Sequence, residues 1–157
     1  MSRRKHRVKR NILPDPKYHN VVVAKFINRL MEDGNKSTAR KIVYDALTTV
    51  QDKTKTNAVE IFDKALKTVA PILEVKSKRV GGASYQVPRE VHGERKQTLA
   101  IRWIVETARL KKGKRMADRL ADELLEASQC QGSAVNKKNN IHKMAEANKA
   151  FAHFGRN

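Results

Sequence analysis

The stretch ILEVKSKRVGGASYQVP, residues 72–88, interrupts an otherwise helical sequence pattern. Two β-prone runs flank Gly81-Gly82, and a glycine pair is typical of a two-residue hairpin turn because both positions accept positive φ without steric cost. Pro88 has no backbone N–H and is predicted to end the second strand. Cations on the first strand favour an exposed, protruding β-hairpin arm over a core element. They are Lys76, Lys78 and Arg79.

Amphipathic helices are predicted on both sides of the hairpin. Apolar residues recur at i, i+3, i+4 and i+7 in six segments, as in helices with one buried face. The predicted helices begin near Asn20, at Ser37 or Thr38, at Asn57, near residue 90, at Met116 and at Ser133. The predicted ends lie near Gly34, before Pro71, near residue 111 and before Gly132. The predicted fold class is mostly α, with six helices and the hairpin 72–88 in a single domain over residues 11–157.

The first ten residues carry six cations and no acid. A segment of this composition repels itself and has no apolar face to bury. We therefore predict a disordered basic N-terminal arm that becomes ordered on a partner. Its cations are Arg3, Arg4, Lys5, Arg7, Lys9 and Arg10.

Two further groups of cations lie in the second half of the chain. Arg95, Arg102 and Arg109 recur every seven residues and so share one face of the fourth predicted helix. A cluster around Gly113 consists of Lys111, Lys112, Lys114, Arg115 and Arg119. The whole chain of 157 residues carries a formal net charge of +18. Such a surplus destabilises the compact state by self-repulsion unless a polyanion neutralises it.

The charge alone leaves several classes of partner open. The chain has no apolar run of about 18 residues, and the basic arm has no apolar face, so the sequence does not indicate a membrane partner. An RNA-binding protein, a basic helical protein that binds or compacts DNA, and a scaffold for acidic proteins all fit the composition.

Motifs for catalysis or metal binding are absent from the sequence. We find no Gly-rich phosphate loop, zinc-ligand spacing or nucleophile elbow, and the five histidines include no i, i+4 pair. The single cysteine, Cys130, is interpreted as a small semi-buried residue. We predict no enzymatic activity, no cofactor and no metal, in a reducing intracellular setting.

Several motifs resemble the bacterial small-subunit ribosomal protein seven family. They are ILPDPKY at 12–18, AKFIN at 24–28, KRVGGASYQVP at 78–88, RWIV at 102–105 and MAEANKAFAH at 144–153. They follow in the family's order over nearly the whole chain. The resemblance implies a mostly helical domain with a protruding hairpin, in agreement with the pattern above.

The resemblance also implies partners in the cytoplasmic ribosome. The family binds the 3′ major domain of small-subunit rRNA and nucleates assembly of the subunit head, near the tRNA exit site and the messenger exit channel. Ribosomal proteins nine and eleven of the small subunit are the implied protein neighbours. Exit-site tRNA would be approached by the hairpin tip and the last helix, at Val80, Gly81, Gly82, Ala83, Ser84, Met144, Asn148 and Lys149.

For rRNA we predict a concave surface on the first helix, the loop before the second helix and the arginine face, closed by the hairpin base. Folded RNA is recognised mainly by shape, phosphates and splayed bases, which basic side chains on such a surface can contact. The predicted residues outside the arm are Lys25, Asn28, Arg29, Lys36, Ser37, Lys76, Lys78, Arg79, Arg95, Arg102, Arg109, Lys114, Arg115 and Arg119.

Overall fold

A computed structural model describes residues 11–155, so the predicted basic arm over residues 1–10 lies outside the described residues. The described elements in chain order are α1 (Val21–Leu30), α2 (Lys36–Thr54), α3 (Ala58–Val69), β1 (Leu73–Val80), β2 (Ala83–Glu90), α4 (Glu94–Leu110), α5 (Met116–Ser128), α6 (Ser133–Ala147) and a C-terminal 3₁₀ helix (Lys149–Gly155). The predicted mostly helical fold with one β-hairpin is confirmed.

Helix termini differ from the predicted ones where backbone turns override the apolar pattern. Asn57 caps α3 as predicted, since its side chain accepts a hydrogen bond from the Val59 N–H. The predicted cap of α2 at Ser37 or Thr38 is wrong, because the helix begins at Lys36 with Asn35 in the cap position. A turn at Gly34, with φ of 78°, brings the chain into helical geometry before the two hydroxyl residues are reached.

The hairpin pairs β1 and β2 in an antiparallel register that runs from Leu73 opposite Glu90 to Val80 opposite Ala83. Gly81 and Gly82 form the predicted two-residue turn, with φ of 56° and 92°. The prediction that Pro88 ends the second strand is wrong. Pro88 pairs with Val75 inside the strand. A two-stranded ribbon has only edge strands, so a proline without an N–H can face outward there.

The core is formed by the apolar faces of α1 to α5, with Ala134 and Val135 of α6. Phe26 of α1 and Phe62 of α3 meet edge to face, with ring centroids 5.2 Å apart. Trp103 of α4 is buried in this core, as its helical spacing indicated. Helix α6 fully buries only Ala134, Val135 and Ala145, so it covers the core with one narrow face.

The hairpin is supported by the C-terminal 3₁₀ helix. Tyr85 of β2 contacts the rings of Phe151 and Phe154, with centroid distances of 5.2 and 5.3 Å. The Lys78 Nζ donates a 2.7 Å hydrogen bond to the Phe154 carbonyl. Tyr85 therefore packs within the protein, and the sequence had left open whether it packs or stacks on a base.

Cys130 is exposed, so the prediction of a semi-buried residue is wrong. It follows the end of α5 with a φ of 61°, in the turn that leads to α6. This turn lies at the surface of the fold. Among the helices of residues 11–155, none is both long and apolar enough to cross a membrane.

Candidate nucleic-acid interface

A groove between α1 and α4 brings together the first part of the predicted surface. Its volume is about 590 Å³. Helix α1 contributes Lys25, Asn28 and Arg29 from the side opposite its buried face, and α4 contributes Thr98 and Ile101. The remaining lining residues are Asn11, Ile12, Val21 and Glu94. Sequence reasoning predicted Lys25, Asn28 and Arg29 but missed Val21 and the residues of α4 and of the N-terminal segment, whose approach depends on tertiary packing.

The heptad-spaced arginines of α4 have different partners although they share one helix. Arg95 forms hydrogen bonds of 3.2 and 3.0 Å from its Nε and Nη2 to Glu74 Oε2 of the hairpin. Arg109 Nη2 donates to the Leu30 carbonyl at the end of α1, at 3.0 Å, and lies 2.9 Å from Glu32 Oε1. Both arginines therefore hold neighbouring elements against α4.

Arg102 lies between these two arginines along α4. It is half-buried, and its buried Nε has no hydrogen-bond partner within residues 11–155. That buried atom is out of reach of an external group, but Arg102 forms no ion pair within residues 11–155, so its charge is not neutralised there. Arg102 is thus the member of the arginine face with the most capacity for an external anion.

Glu106 joins α4 to the helices on both sides of it. Its carboxylate lies 3.6 Å from Arg29 Nη2 of α1 and accepts a 2.8 Å hydrogen bond from Lys137 Nζ of α6. Helices α1, α4 and α6 therefore present one joined surface. Sequence reasoning missed Glu106 and Lys137, although Glu106 follows Arg102 by four residues and so shares its helix face.

The first turn of α2 supplies one exposed cation. Lys36 and Ser37 are exposed in the first turn of α2, which contains no acidic residue and has no side-chain cap. The free N–H groups at such a helix start favour anions. Lys36 forms no ion pair with any residue of the described part of the chain. This position is suited to a phosphate at the edge of the surface.

Several cations of the predicted cluster around Gly113 form ion pairs with acidic residues of the same protein. Lys114 Nζ lies 2.8 Å from Asp122, which also pairs with Lys53 of α2, and Arg115 pairs with Asp118 at 3.2 Å. Hydrogen bonds from Lys114 and Lys53 hold the pKa of Asp122 below its usual value. The cluster lies on the loop between α4 and α5 and does not line the groove between α1 and α4.

Arg119 and Lys111 stabilise helix ends in the same region. Arg119 Nη1 donates to the carbonyls of Lys111 and Arg109, where α4 ends. Burial lowers the pKa of Lys111, but hydrogen bonds to Glu123 and Glu126 outweigh it, so that the pKa is raised overall. These contacts support the packing of α5.

The hairpin base combines a nearly buried acid with two cations. Glu74 lies 3.0 Å from both Lys76 Nζ and Arg95 Nη2. Burial raises the pKa of Glu74, but hydrogen bonds from Lys76 and Arg95 outweigh it and lower the pKa overall. Arg79, nearer the tip, is exposed. Of the predicted hairpin cations, Lys76 is therefore paired at the base, Lys78 contacts the C-terminal 3₁₀ helix, and Arg79 is exposed near the tip.

The predicted tRNA-contacting residues lie on two elements. At the tip, Val80 is half-buried and residues 81–84 are exposed, and a Cβ added at Gly81 or Gly82 would meet no atom within 4 Å. In and after α6, Met144 is 52% exposed, Asn148 donates from Nδ2 to the Met144 carbonyl at 2.8 Å, and Lys149 is exposed.

A histidine of α6 connects that helix to the hairpin base. His142 Nε2 accepts a 3.2 Å hydrogen bond from the Ile72 N–H. Partial burial lowers the pKa of His142, and the neighbouring Lys138 lowers it further. The neutral ring is therefore favoured, as an accepting Nε2 requires. Sequence reasoning missed this contact because the two residues are 70 positions apart.

The chain is similar in sequence to known proteins of one family. The protein-family model for "Ribosomal protein S7p/S5e" matches residues 2–149. The chain is 59% identical over 155 residues to the small ribosomal subunit protein uS7 of Francisella tularensis subsp. holarctica, strain OSU18, covering 98% of this chain and 99% of that protein. It is 58% identical, with the same coverage, to the uS7 proteins of Francisella tularensis subsp. novicida and of Francisella philomiragia.

Proposed function

This chain belongs to the ribosomal protein S7p/S5e family, and from that premise we propose that it binds the 3′ major domain of small-subunit rRNA and nucleates assembly of the subunit head. Its relatives are proteins of the small ribosomal subunit, so it is a ribosomal structural protein and not an enzyme. The observation that carries the rRNA proposal is the joined surface of α1, α4 and α6. On it, Lys25 and Arg29 line the groove, and Arg102 lies one helical turn before Glu106, the partner of Arg29.

The physical basis of binding is counterion release combined with shape matching. Lys25 forms no ion pair with the residues at positions 11–155, and Arg29 is held only by the 3.6 Å contact to Glu106. Cations that have not already been neutralised can displace condensed counterions from closely spaced phosphates. Folded RNA is recognised through its shape and its backbone, so a groove lined by cations of α1 suits it.

Further partners follow from family membership as parts of the same proposal. The hairpin tip and the end of α6 approach exit-site tRNA, and messenger RNA passes nearby in its exit channel. Ribosomal proteins nine and eleven of the small subunit are the protein neighbours. The location is the small-subunit head in the bacterial cytoplasm. The exposure of residues 81–84 and Met144 supports the tRNA contact, since it leaves these residues free to meet a large ligand.

A binding titration tests the rRNA proposal. The full-length chain is titrated against a transcript of the 3′ major domain, with a transcript of another rRNA domain and duplex DNA as competitors, at several salt concentrations. We expect selective binding to the 3′ major domain that weakens as salt rises. Equal affinity for duplex DNA would instead support a DNA-binding or DNA-compacting protein.

Matched variants locate the surface. Lys25→Gln with Arg29→Gln removes two cations from α1, and Lys64→Gln with Lys67→Gln removes two exposed cations from α3. The α1 pair is expected to reduce the steepness of the salt dependence by about two phosphate contacts, and the α3 pair by none. Equal effects of the two pairs would show that the α1 surface is not the rRNA site.

A further inference from the structure

We propose that the groove between the N-terminal segment, α1 and α4 receives one unstacked nucleotide of the bound rRNA, with its base on the apolar floor and its phosphate at Lys25 and Arg29. This inference rests on the proposed rRNA binding and adds a mode of recognition to it. The volume of about 590 Å³ lies within the range of about 300–1,000 Å³ that is usual for small-molecule sites. The groove is therefore large enough for a single nucleotide.

The floor of the groove is apolar at a surface that is otherwise charged. Ile12, Val21 and Ile101 line it from the N-terminal segment, α1 and α4. Ile101 is only 4% exposed, whereas Val21 is 40% exposed in the described structure. A flat nucleobase placed on these side chains removes their apolar surface from water. The exposed Val21 thus gains cover that residues 11–155 do not provide.

Neutral polar groups at the wall suit the edge of a base. The Asn28 side chain is half-buried and forms no hydrogen bond with another residue in the part of the chain that the structure describes. An amide offers both donors and an acceptor, and base edges present the complementary pattern. Thr98 Oγ1 donates to the Glu94 carbonyl at 2.9 Å and keeps its acceptor capacity. The wall can therefore read a base without a charged partner.

Cations on the α1 side of the groove favour a nucleotide over a polypeptide occupant. Lys25 and Arg29 lie one turn apart on α1, so both reach the same anion. Glu94 also lines the groove, but it lies in the first turn of α4, where an acid is stabilised by the helix dipole. The two cations, together with the net charge of +18, attract a phosphate that is linked to the base.

A groove-filling variant with a matched control tests this proposal. Thr98→Phe places a ring in the groove, and Thr48→Phe places one on the exposed side of α2. Both threonines are exposed, and each donates from Oγ1 to the carbonyl four residues before it, at 2.9 Å. The two substitutions therefore disturb their helices similarly. Full-length proteins are titrated against the 3′ major domain transcript, and each nucleotide is probed by 2′-hydroxyl acylation in the complex.

We expect Thr98→Phe to weaken binding about tenfold, because the base is no longer buried on the apolar floor, and to lower the salt slope by at most the two contacts at Lys25 and Arg29, because phosphate contacts elsewhere persist. Thr48→Phe is expected to bind like the wild type. The wild type and Thr48→Phe should both change the acylation reactivity of one particular nucleotide. When Thr98→Phe binds, that nucleotide should keep the reactivity that it has in the free RNA. As a second variant, Asn28→Ala should weaken binding several-fold without changing the slope.

Three results would overturn the inference. Equal affinity and equal reactivity profiles for the two phenylalanine variants would show that the groove holds no nucleotide. Weaker binding by Thr98→Phe with no change at any single nucleotide would show that a polypeptide segment occupies it. If the wild type itself fails to bind the transcript, the proposed function is refuted and the inference with it. The titration of the wild type therefore distinguishes this outcome from the other two.

Discussion

Glu123 Oε1 accepts a 2.7 Å hydrogen bond from the backbone N–H of Ala134, so a fully buried carboxylate stabilises the first turn of α6. The same carboxylate lies 2.7 Å from Lys111 Nζ, just after α4. One acid thus connects α4, α5 and α6. Since α6 also contributes Lys137 and His142 to contacts with α4 and the hairpin, its position affects the whole proposed interface.

Glu123→Ala is expected to destabilise the protein by on the order of 3 kcal/mol, because it leaves a buried N–H and a partly buried lysine without partners. Urea denaturation measures the free energy of unfolding. Glu126→Ala serves as the control, since that carboxylate also pairs with Lys111 but is 43% exposed, and it is expected to cost less than about 1 kcal/mol. Equal costs would contradict the stabilising role of Glu123.

The Glu74 carboxylate predicts a pH dependence of stability. Its pKa in the folded protein is lower than the ordinary value of 4.5, so its ion pairs stabilise the fold above pH 4.5. That contribution is lost as the pH falls below 4.5 through the folded-state pKa. The stability difference between the wild type and Glu74→Gln should therefore shrink between pH 7 and pH 3, as measured by urea denaturation. The exposed Glu90→Gln provides the control, and a difference that stays constant would contradict the prediction.

Arg102 and Arg95 are expected to differ in what they contribute. Arg102→Gln should reduce the salt slope of rRNA binding by about one contact and leave stability unchanged, because Arg102 forms no ion pair with the described residues. Arg95→Gln should lower the free energy of unfolding, because it leaves Glu74 with one cation fewer. Salt titrations and urea denaturation of both variants provide the test. A larger slope change for Arg95 would reverse the assignment.

The hairpin tip can be shortened without changing its register. Deleting the pairs Arg79–Ser84 and Val80–Ala83 leaves the glycine turn between Lys78 and Tyr85. We expect nearly unchanged affinity for the rRNA transcript and weaker retention of exit-site tRNA on reconstituted small subunits. Arg79→Gln controls for the lost cation. Equal losses of rRNA and tRNA binding would place the tip in the primary rRNA site.

Deletion of residues 1–10 is expected to weaken rRNA binding and leave helical content unchanged, because it removes six cations and no residue of the described core. Affinity is measured by titration and helical content by circular dichroism. A full-length variant with all six cations replaced by Gln is the control for chain length. If charge is the cause, both proteins lose the same affinity. A loss of helical signal would refute the interpretation of this segment as an arm.

Local features account for the parts of the fold that the sequence predicted correctly. The glycine turn follows from the steric freedom of two residues, and the Asn57 cap follows from a contact over two positions. Pro88 and Cys130 were predicted wrongly because their environments are set by tertiary structure and not by neighbouring residues. The tolerance for a proline depends on whether a third strand is present, and the exposure of a cysteine depends on how two helices meet.

In the candidate interface, too, neighbouring residues determine some features and tertiary packing determines others. Residue types and spacing established that cations are abundant, that Arg95, Arg102 and Arg109 share a face, and that a hairpin projects from a helical body. Spacing did not show that Arg95 is paired with Glu74, 21 positions away, or that Arg109 reaches the Leu30 carbonyl, 79 positions away.

Helical period and turn type depend on interactions between residues a few positions apart, and the linear order of residues states these directly. Which cation remains available for RNA depends on which acid or carbonyl the folded chain brings within about 3 Å, the distance of a hydrogen bond. Distant segments supply those partners, so only their packing separates the cations that hold this protein together from those that face outward.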